Sequence, residues 1–239
     1  MQKILQLMAS NRHLSTFKAR ANVNAKGQRV TDLFVYGPIA NDREMADAFG
    51  GIDPETFNTA VHDATGPINL YVNSPGGSVF AAVAMGAALR RHGQPVNAFI
   101  DGLAASAASV LTTYADYVEA SEGSFVMIHN AWTMGAGNAA DFRQQADLLD
   151  QIDSTIVQAY VKQTGQTEQQ VREWMAAETW FEAKEAVSSG FANRVAGQTE
   201  QVANWDLAAF DKAPEQIAAS ADVDKLKARL RLARALAGC

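Results

Sequence analysis

The sequence predicts an α/β fold built on a mainly parallel sheet. Three observations carry that expectation. Short apolar runs alternate with longer small-residue or amphipathic segments, the rhythm that crossover connections between parallel strands require. Glycine and proline close the apolar runs, as at Gly37-Pro38 and at Ser74-Pro75-Gly76-Gly77, where only turns tolerate them. The chain has 239 residues, 48% hydrophobic and only 19% charged, which supplies a sizeable core and excludes intrinsic disorder.

The elements follow in order. Residues 1–30 are polar and weakly patterned and read as an N-terminal arm. Residues 32–36 (DLFVY) form the first apolar run, stopped by Gly37-Pro38. Residues 43–49 and 54–64 read as helices, the second opening on Asp53-Pro54, a cap followed by a first-turn proline. Residues 68–72 (INLYV) predict a strand, broken by Ser74-Pro75-Gly76-Gly77, and a small-residue helix follows over 79–91. Residues 96–100 (VNAFI) predict the next strand, then Asp101-Gly102 and an alanine- and serine-rich helix over about 105–115. Short strands are expected at 117–120 and 124–128.

After a glycine-containing loop at 134–137, a long helix is expected over 139–163. Its apolar stripe is Phe142, Ala146, Leu149, Ile152, Ile156 and Tyr160, at spacings of three and four. Thr164-Gly165 stops it, and Thr167 with Gln170 resembles a capping box for a helix to about 177. A short helix over 183–189 and a strand over 191–195 end the patterned region. The chain thus divides into an arm (1–30), a main domain (31–197) and a C-terminal extension (198–239). At 222–237 the extension carries Lys225, Lys227, Arg229, Arg231 and Arg234 beside an apolar face, an amphipathic helix that is either solvated or docks on a partner.

Composition removes several functions. A single cysteine excludes an intrachain disulfide framework and suits a reducing compartment. A net charge of -6 gives no global drive toward nucleic acid. The longest uncharged apolar run, 79–89, falls short of the roughly 18 residues a membrane span needs. A cytoplasmic protein without membrane attachment is expected. No Cys/His cluster suggests a metal, and no cofactor motif is present: the 73–78 turn lacks the glycine spacing and lysine of nucleotide-binding loops.

Three segments can carry chemistry. Asn73-Ser74-Pro75-Gly76-Gly77-Ser78 lies at a strand end and a helix start, where glycines expose backbone N–H groups able to bind an oxyanion. In 101–109 (DGLAASAAS), Ser106 follows a buried strand and is a candidate nucleophile, with the Ala107 N–H beside it; the alternative is a serine that merely caps a helix. His129 leaves the apolar run 125–128 and is a candidate base, which a serine hydroxyl needs at neutral pH; the alternative is an ordinary half-buried histidine. The other histidines, His13, His62 and His92, sit in polar or helical surroundings.

Taken in order, SPGG, GLAASAAS and MIHN resemble the motifs of the ClpP family of serine peptidases. Thr164-Gly165-Gln166, the run 180–186 (WFEAKEA) and Gly190-Phe191-Ala192 resemble that family's C-terminal motif, so the likeness spans about 32–196. Within the family, NSPGGSVFAA, DGLAASAAS, MIHNAW and ETWFEAKEA resemble the phage-type branch, the head maturation (prohead) proteases. The resemblance implies a ClpP/crotonase-like fold of repeated strand–helix units with a protruding "handle" helix. It implies Ser106 as nucleophile, His129 as general base, and the Gly77 and Ala107 amides as the oxyanion hole. Gly76, Ser78 and Val79 would line the extended substrate. Cellular members place an aspartate third in the triad; the matching position here is Thr179, which can hydrogen-bond an imidazole but carries no charge, with neighbouring Glu178 as its rival.

By the same resemblance the protein needs no cofactor and no metal, and cleaves capsid or scaffold polypeptides. It would form a homo-oligomeric ring, a heptamer or tetradecamer, with an AAA+ ATPase as a possible partner. The handle face carrying Asp147, Asp150 and Asp153 would be available to a neighbouring subunit; the alternative is plain solvent exposure. Three alternatives stand beside this reading. A signal-peptide-peptidase-like Ser–Lys enzyme would use Lys162. A crotonase-like hydratase shares the fold but works with carboxylates. A catalytically weakened assembly protein is suggested by Thr179.

Overall fold

A computed structural model describes residues 2–196 and 205–214, and the side chains from residue 7 onward. Among the described residues the sheet has eight strands. β1 (Thr16–Val23) runs antiparallel to β2 (Arg29–Tyr36), and β2, β3 (Ile68–Ser74), β4 (Val96–Ala105), β5 (Tyr117–Ser121) and β8 (Arg194–Ala196) continue it in parallel. β4 is long enough to change partners. Asn97 to Ile100 pair with β5, and Leu103 to Ala105 pair with β6 (Phe125–Ile128). β6 then pairs antiparallel with β7 (Thr179–Glu182). The mixed α/β architecture is the predicted class.

The helices are α1 (Gln2–Asn11), α2 (Arg43–Phe49), α3 (Pro54–Asp63), α4 (Val79–His92), α5 (Ala107–Thr112), α6 (Ala139–Thr164), α7 (Glu168–Ala176) and α8 (Ala183–Ser188). Their starts are the ones the sequence announces. Asp53 caps α3 through the Thr56 N–H with Pro54 in the first turn, Asn138 and Asp141 form a capping box on α6, and Thr167 caps α7 through the Gln170 N–H. Alternation along β2 and β3 puts Leu33, Val35, Leu70 and Val72 on the face covered by α3 and α4, and these residues belong to the main core.

Three segments differ from the sequence reading. Residues 1–30 hold a helix and a strand, where an unpatterned arm is expected. β1 is an edge strand exposed along most of its length, so it has no apolar alternation to reveal it. The helix expected over 105–115 is only 107–112, because pairing with β6 extends β4 to Ala105. The strand 179–182 fell between two predicted helices.

A second apolar cluster lies apart from the main core. Leu103, Ala105, Phe125 and Met127 of β4 and β6 meet Leu7 of α1 and Trp205, Leu207 and Phe210 of the C-terminal segment. The basic amphipathic segment expected at 222–237 lies outside the described residues. Among them no helix is long and apolar enough to cross a membrane.

Candidate active site

β4 delivers Ser106 and β6 delivers His129 from adjacent parallel strands. The Ser106 N–H still bonds the Met127 carbonyl at 2.8 Å, extending the β4–β6 ladder by one rung. At Ser106 the backbone then turns sharply into α5, with φ 53 and ψ -124. A left-handed φ in a residue with a side chain is strained and persists only where the surroundings enforce it. Among the described residues only Ser106 and Glu178 combine a side chain with such a φ.

The consequence of that turn is a 2.7 Å hydrogen bond between Ser106 Oγ and His129 Nε2. Ser106 stands at the cap position of α5, yet its hydroxyl makes no capping bond. The helix-cap alternative therefore fails, and the hydroxyl is committed to the imidazole. Ser109, one turn on, fixes the strained backbone. Its Oγ lies 2.6 Å from the Ser106 carbonyl and 3.1 Å from the Met127 carbonyl, with the buried Tyr160 hydroxyl 2.7 Å away. Sequence reasoning missed this support, since Ser109 and Tyr160 lie 51 positions apart.

The glycine turn sits against the same point. Gly76 has φ 90, and a Cβ there would approach the Ala105 carbonyl oxygen to 2.5 Å and the Ala107 nitrogen to 3.0 Å. Glycine is thus required both by the backbone conformation and by the space. The Ile39 N–H bonds the Gly76 carbonyl at 2.8 Å and the Ser78 N–H bonds the Ile39 carbonyl at 2.9 Å. Extended-chain alternation then turns the Gly77 N–H to the side away from Ile39. The Ala107 N–H opens α5, where a first-turn amide has no partner within its helix. Ser78 caps α4 through the Ala81 N–H, and its hydroxyl also lies 3.2 Å from Asn41 Oδ1.

The Ser106–His129 pair opens on a cleft of about 410 Å³. Gly77, Ser78, Val79, Ser106 and His129 form one part of its wall, and Leu148, Leu149 and Ile152 of α6 another. Leu7 and Phe210, from near the two ends of the described chain, also border it. The Phe210 ring meets the His129 imidazole edge-on at 5.6 Å. Burial pushes the His129 imidazole below its ordinary value, while the charge of Glu178 acts in the opposite direction.

Thr179, the position expected to orient His129, directs its hydroxyl to the Trp174 carbonyl at 2.7 Å. Among the described residues, the hydrogen bond of the His129 ring is the one to Ser106. Lys162 is exposed in the last turn of α6 and does not line the cleft, which leaves the Ser–Lys alternative without its base. Chemically, the arrangement joins a hydroxyl, a neutral acceptor for its proton and backbone donors beside them, the parts that acyl transfer needs.

Comparison with known proteins gives the same answer from a separate direction. The Clp protease family model matches residues 42–199. The chain belongs to the Clp protease family. ATP-dependent Clp protease proteolytic subunit 1 of Protochlamydia amoebophila is 30% identical over 140 residues, 57% of this chain and 68% of that protein. The corresponding subunit of Deinococcus radiodurans is 30% identical over 136 residues, 56% of this chain and 67% of the relative. Proteolytic subunit 3 of Streptomyces coelicolor is 33% identical over 138 residues, 57% and 64% of the two chains. Membership in the Clp protease family makes the protein a serine-type peptidase. The family match ends before Trp205, so the segment that brings Phe210 to the site lies outside the matched region.

Proposed function

We propose that the protein is a ClpP-type serine endopeptidase in which Ser106 is the nucleophile and His129 the general base. The observation that carries this is the 2.7 Å Ser106–His129 bond at the wall of a cleft. Ser106 Oγ adds to a peptide carbonyl as its proton passes to His129 Nε2. The imidazolium then protonates the leaving amine, and water, deprotonated by the same imidazole, releases the acyl group. The Gly77 and Ala107 amides bind the oxyanion, each worth roughly 3–4 kcal/mol in the transition state. Gly76, Ser78 and Val79 hold the substrate chain in extended form.

The biological setting proposed is phage head maturation, with capsid or scaffold polypeptides as substrates, in a ring of identical subunits. Its support is the wording of the four motif segments, which resembles the phage-type branch, whereas the named relatives are Clp proteolytic subunits. The test is Ser106→Ala in the full chain, incubated with the capsid or scaffold precursor encoded beside it. Loss of cleavage and of fluorophosphonate labelling is expected; undiminished cleavage overturns the assignment. Cleavage of unrelated unfolded proteins in preference to capsid precursors would overturn the phage role and leave the chemistry standing.

A further inference from the structure

Proton transfer between Ser106 and His129 depends on holding two separate pieces of chain at a 2.7 Å separation. Each residue stands one position past the end of its strand, Ser106 after β4 and His129 after β6. Ser106 also keeps a strained left-handed φ of 53, which the surroundings must enforce. The segments that follow the two residues are both gripped by one helix, α6.

On the serine side the grip is a chain of hydroxyls. Ser109 Oγ lies 2.6 Å from the Ser106 carbonyl oxygen, 3.1 Å from the Met127 carbonyl oxygen and 2.7 Å from the Tyr160 hydroxyl. Carbonyls only accept. Were Ser109 to give its one proton to Tyr160, two oxygens would face each other at 2.6 Å with no proton between them. Ser109 therefore donates to the Ser106 carbonyl, and Tyr160 donates to Ser109. Both side chains are buried, and burial pushes the Tyr160 phenol above its ordinary value, so the donated proton stays in place. On the histidine side, Asp153 Oδ1 accepts the Ala131 N–H at 2.6 Å, two residues beyond His129. Asp153 and Tyr160 are seven positions apart, about two turns, and so project from one face of α6. Between them Ile156 and Val157 seat that face in the main core.

We propose that Tyr160 and Asp153 are positioning residues of the site: α6 sets the Ser106–His129 separation through two polar contacts, one to the backbone behind the nucleophile by way of Ser109, the other to the backbone behind the base. This rests on the peptidase reading above and gives a role to two side chains that touch neither substrate nor the reacting atoms. In the sequence Tyr160 is one member of an apolar stripe and Asp153 one of three acids on a helix face. Neither carries a sign of the contact it makes, because both partners lie on other elements.

The experiment uses the full chain and measures the second-order rate of Ser106 labelling by an alkyl fluorophosphonate, with folding checked by circular dichroism. Tyr160→Phe removes one oxygen and keeps the ring. It is expected to slow labelling about fivefold, and Ser109→Ala about tenfold, the range of a single hydrogen bond. Because Tyr160 acts through Ser109, the double variant should be no slower than Ser109→Ala alone. Asp153→Ala should slow labelling about fivefold, whereas Asp153→Asn, whose amide oxygen still accepts the Ala131 N–H, should stay within about twofold of the unmodified protein. Thr155→Ala, on the exposed side of the same helix, should change nothing. Full labelling rates in Tyr160→Phe and Asp153→Ala overturn the proposal. So do Tyr160→Phe and Ser109→Ala effects that multiply in the double variant, since independent losses mean packing damage and not a linked contact. Should Tyr160→Phe fold poorly, the contrast between Asp153→Ala and Asp153→Asn decides at the other contact. Absence of labelling in the unmodified protein would instead overturn the peptidase reading. Amide hydrogen exchange at Ala131 then decides whether α6 holds the segment: faster exchange in Asp153→Ala supports it, and unchanged exchange overturns it.

Discussion

At the scale of single residues, the chemistry of the site is a matter of where one proton rests. Burial holds the His129 imidazole below its ordinary value near 6.5, so at neutral pH it is unprotonated and ready to accept the serine proton. The acid limb of Ser106 labelling is therefore expected below pH 6.5. The same depression couples the residue to stability. The unfolded chain takes up the proton first as pH falls, so His129 leaves stability intact above about pH 6.5 and withdraws it as pH drops through the lower folded value. Calorimetry between pH 7.5 and 5.5 should show a melting temperature that falls on acidification, and falls less in His129→Gln. Equal slopes in the two proteins would contradict a buried neutral imidazole. Ser106 and His129 were legible as candidates because a serine after a buried strand and a histidine at the end of another are conspicuous in type and place. The bond between them was not, because it depends on β4 and β6 being neighbours.

At the scale of elements, legibility followed burial. Strands with one fully buried face, such as β3 and the first half of β4, alternate buried and half-buried residues in largely apolar runs and were placed within a residue or two. The edge strand and the C-terminal segment have no such pattern. β1 is mostly exposed, and the C-terminal segment owes its position to contacts distant in sequence. Trp205 donates its indole N–H to Asn73 Oδ1 at 3.0 Å across 132 positions, and Asn11 bonds both the backbone N–H and the carbonyl of Asp206. The alanines of 104–108 misled in a different way. Their helix propensity is high, yet Ala104 and Ala105 pair with β6 because the ladder and the second core decide the matter. Trp205 is almost fully buried and anchors the C-terminal segment 205–214, so Trp205→Ala should destabilise the protein by about 3–5 kcal/mol. It should also slow Ser106 labelling, since Phe210, whose ring packs against His129, follows it in the chain. Denaturant unfolding and labelling kinetics on one preparation check both. The expected destabilisation with labelling unaltered in the folded fraction would separate the C-terminal segment from the site.

At the scale of the whole molecule, the handle helix shows what a single chain leaves undone. The C-terminal half of α6 is anchored in the core through Ile156, Val157 and Tyr160, while its N-terminal half touches the cleft through Leu148 and Leu149 and leaves Phe142 and Leu148 about half exposed, at 50% and 51%. The stripe read from the sequence is continuous, but the fold covers only part of it. The acidic face is likewise divided: Asp147 and Asp150 are exposed, whereas Asp153 turns inward to the Ala131 N–H. Exposed apolar side chains grouped on one helix mark an interaction surface, and Phe80 and Met134 are also exposed, at 64% and 43%. In the proposed ring Phe142 and Met134, which lie outside the cleft, are covered by another copy of the chain. Phe142 lies outside the cleft, so Phe142→Asp should leave the single-chain fold intact and place a charge in the contact. The unmodified protein is expected to run as a large homo-oligomer by light scattering at micromolar concentration, and Phe142→Asp as smaller species with unchanged circular dichroism. A monomeric unmodified protein would contradict the ring. An intact assembly in Phe142→Asp would move the contact to another face of the handle.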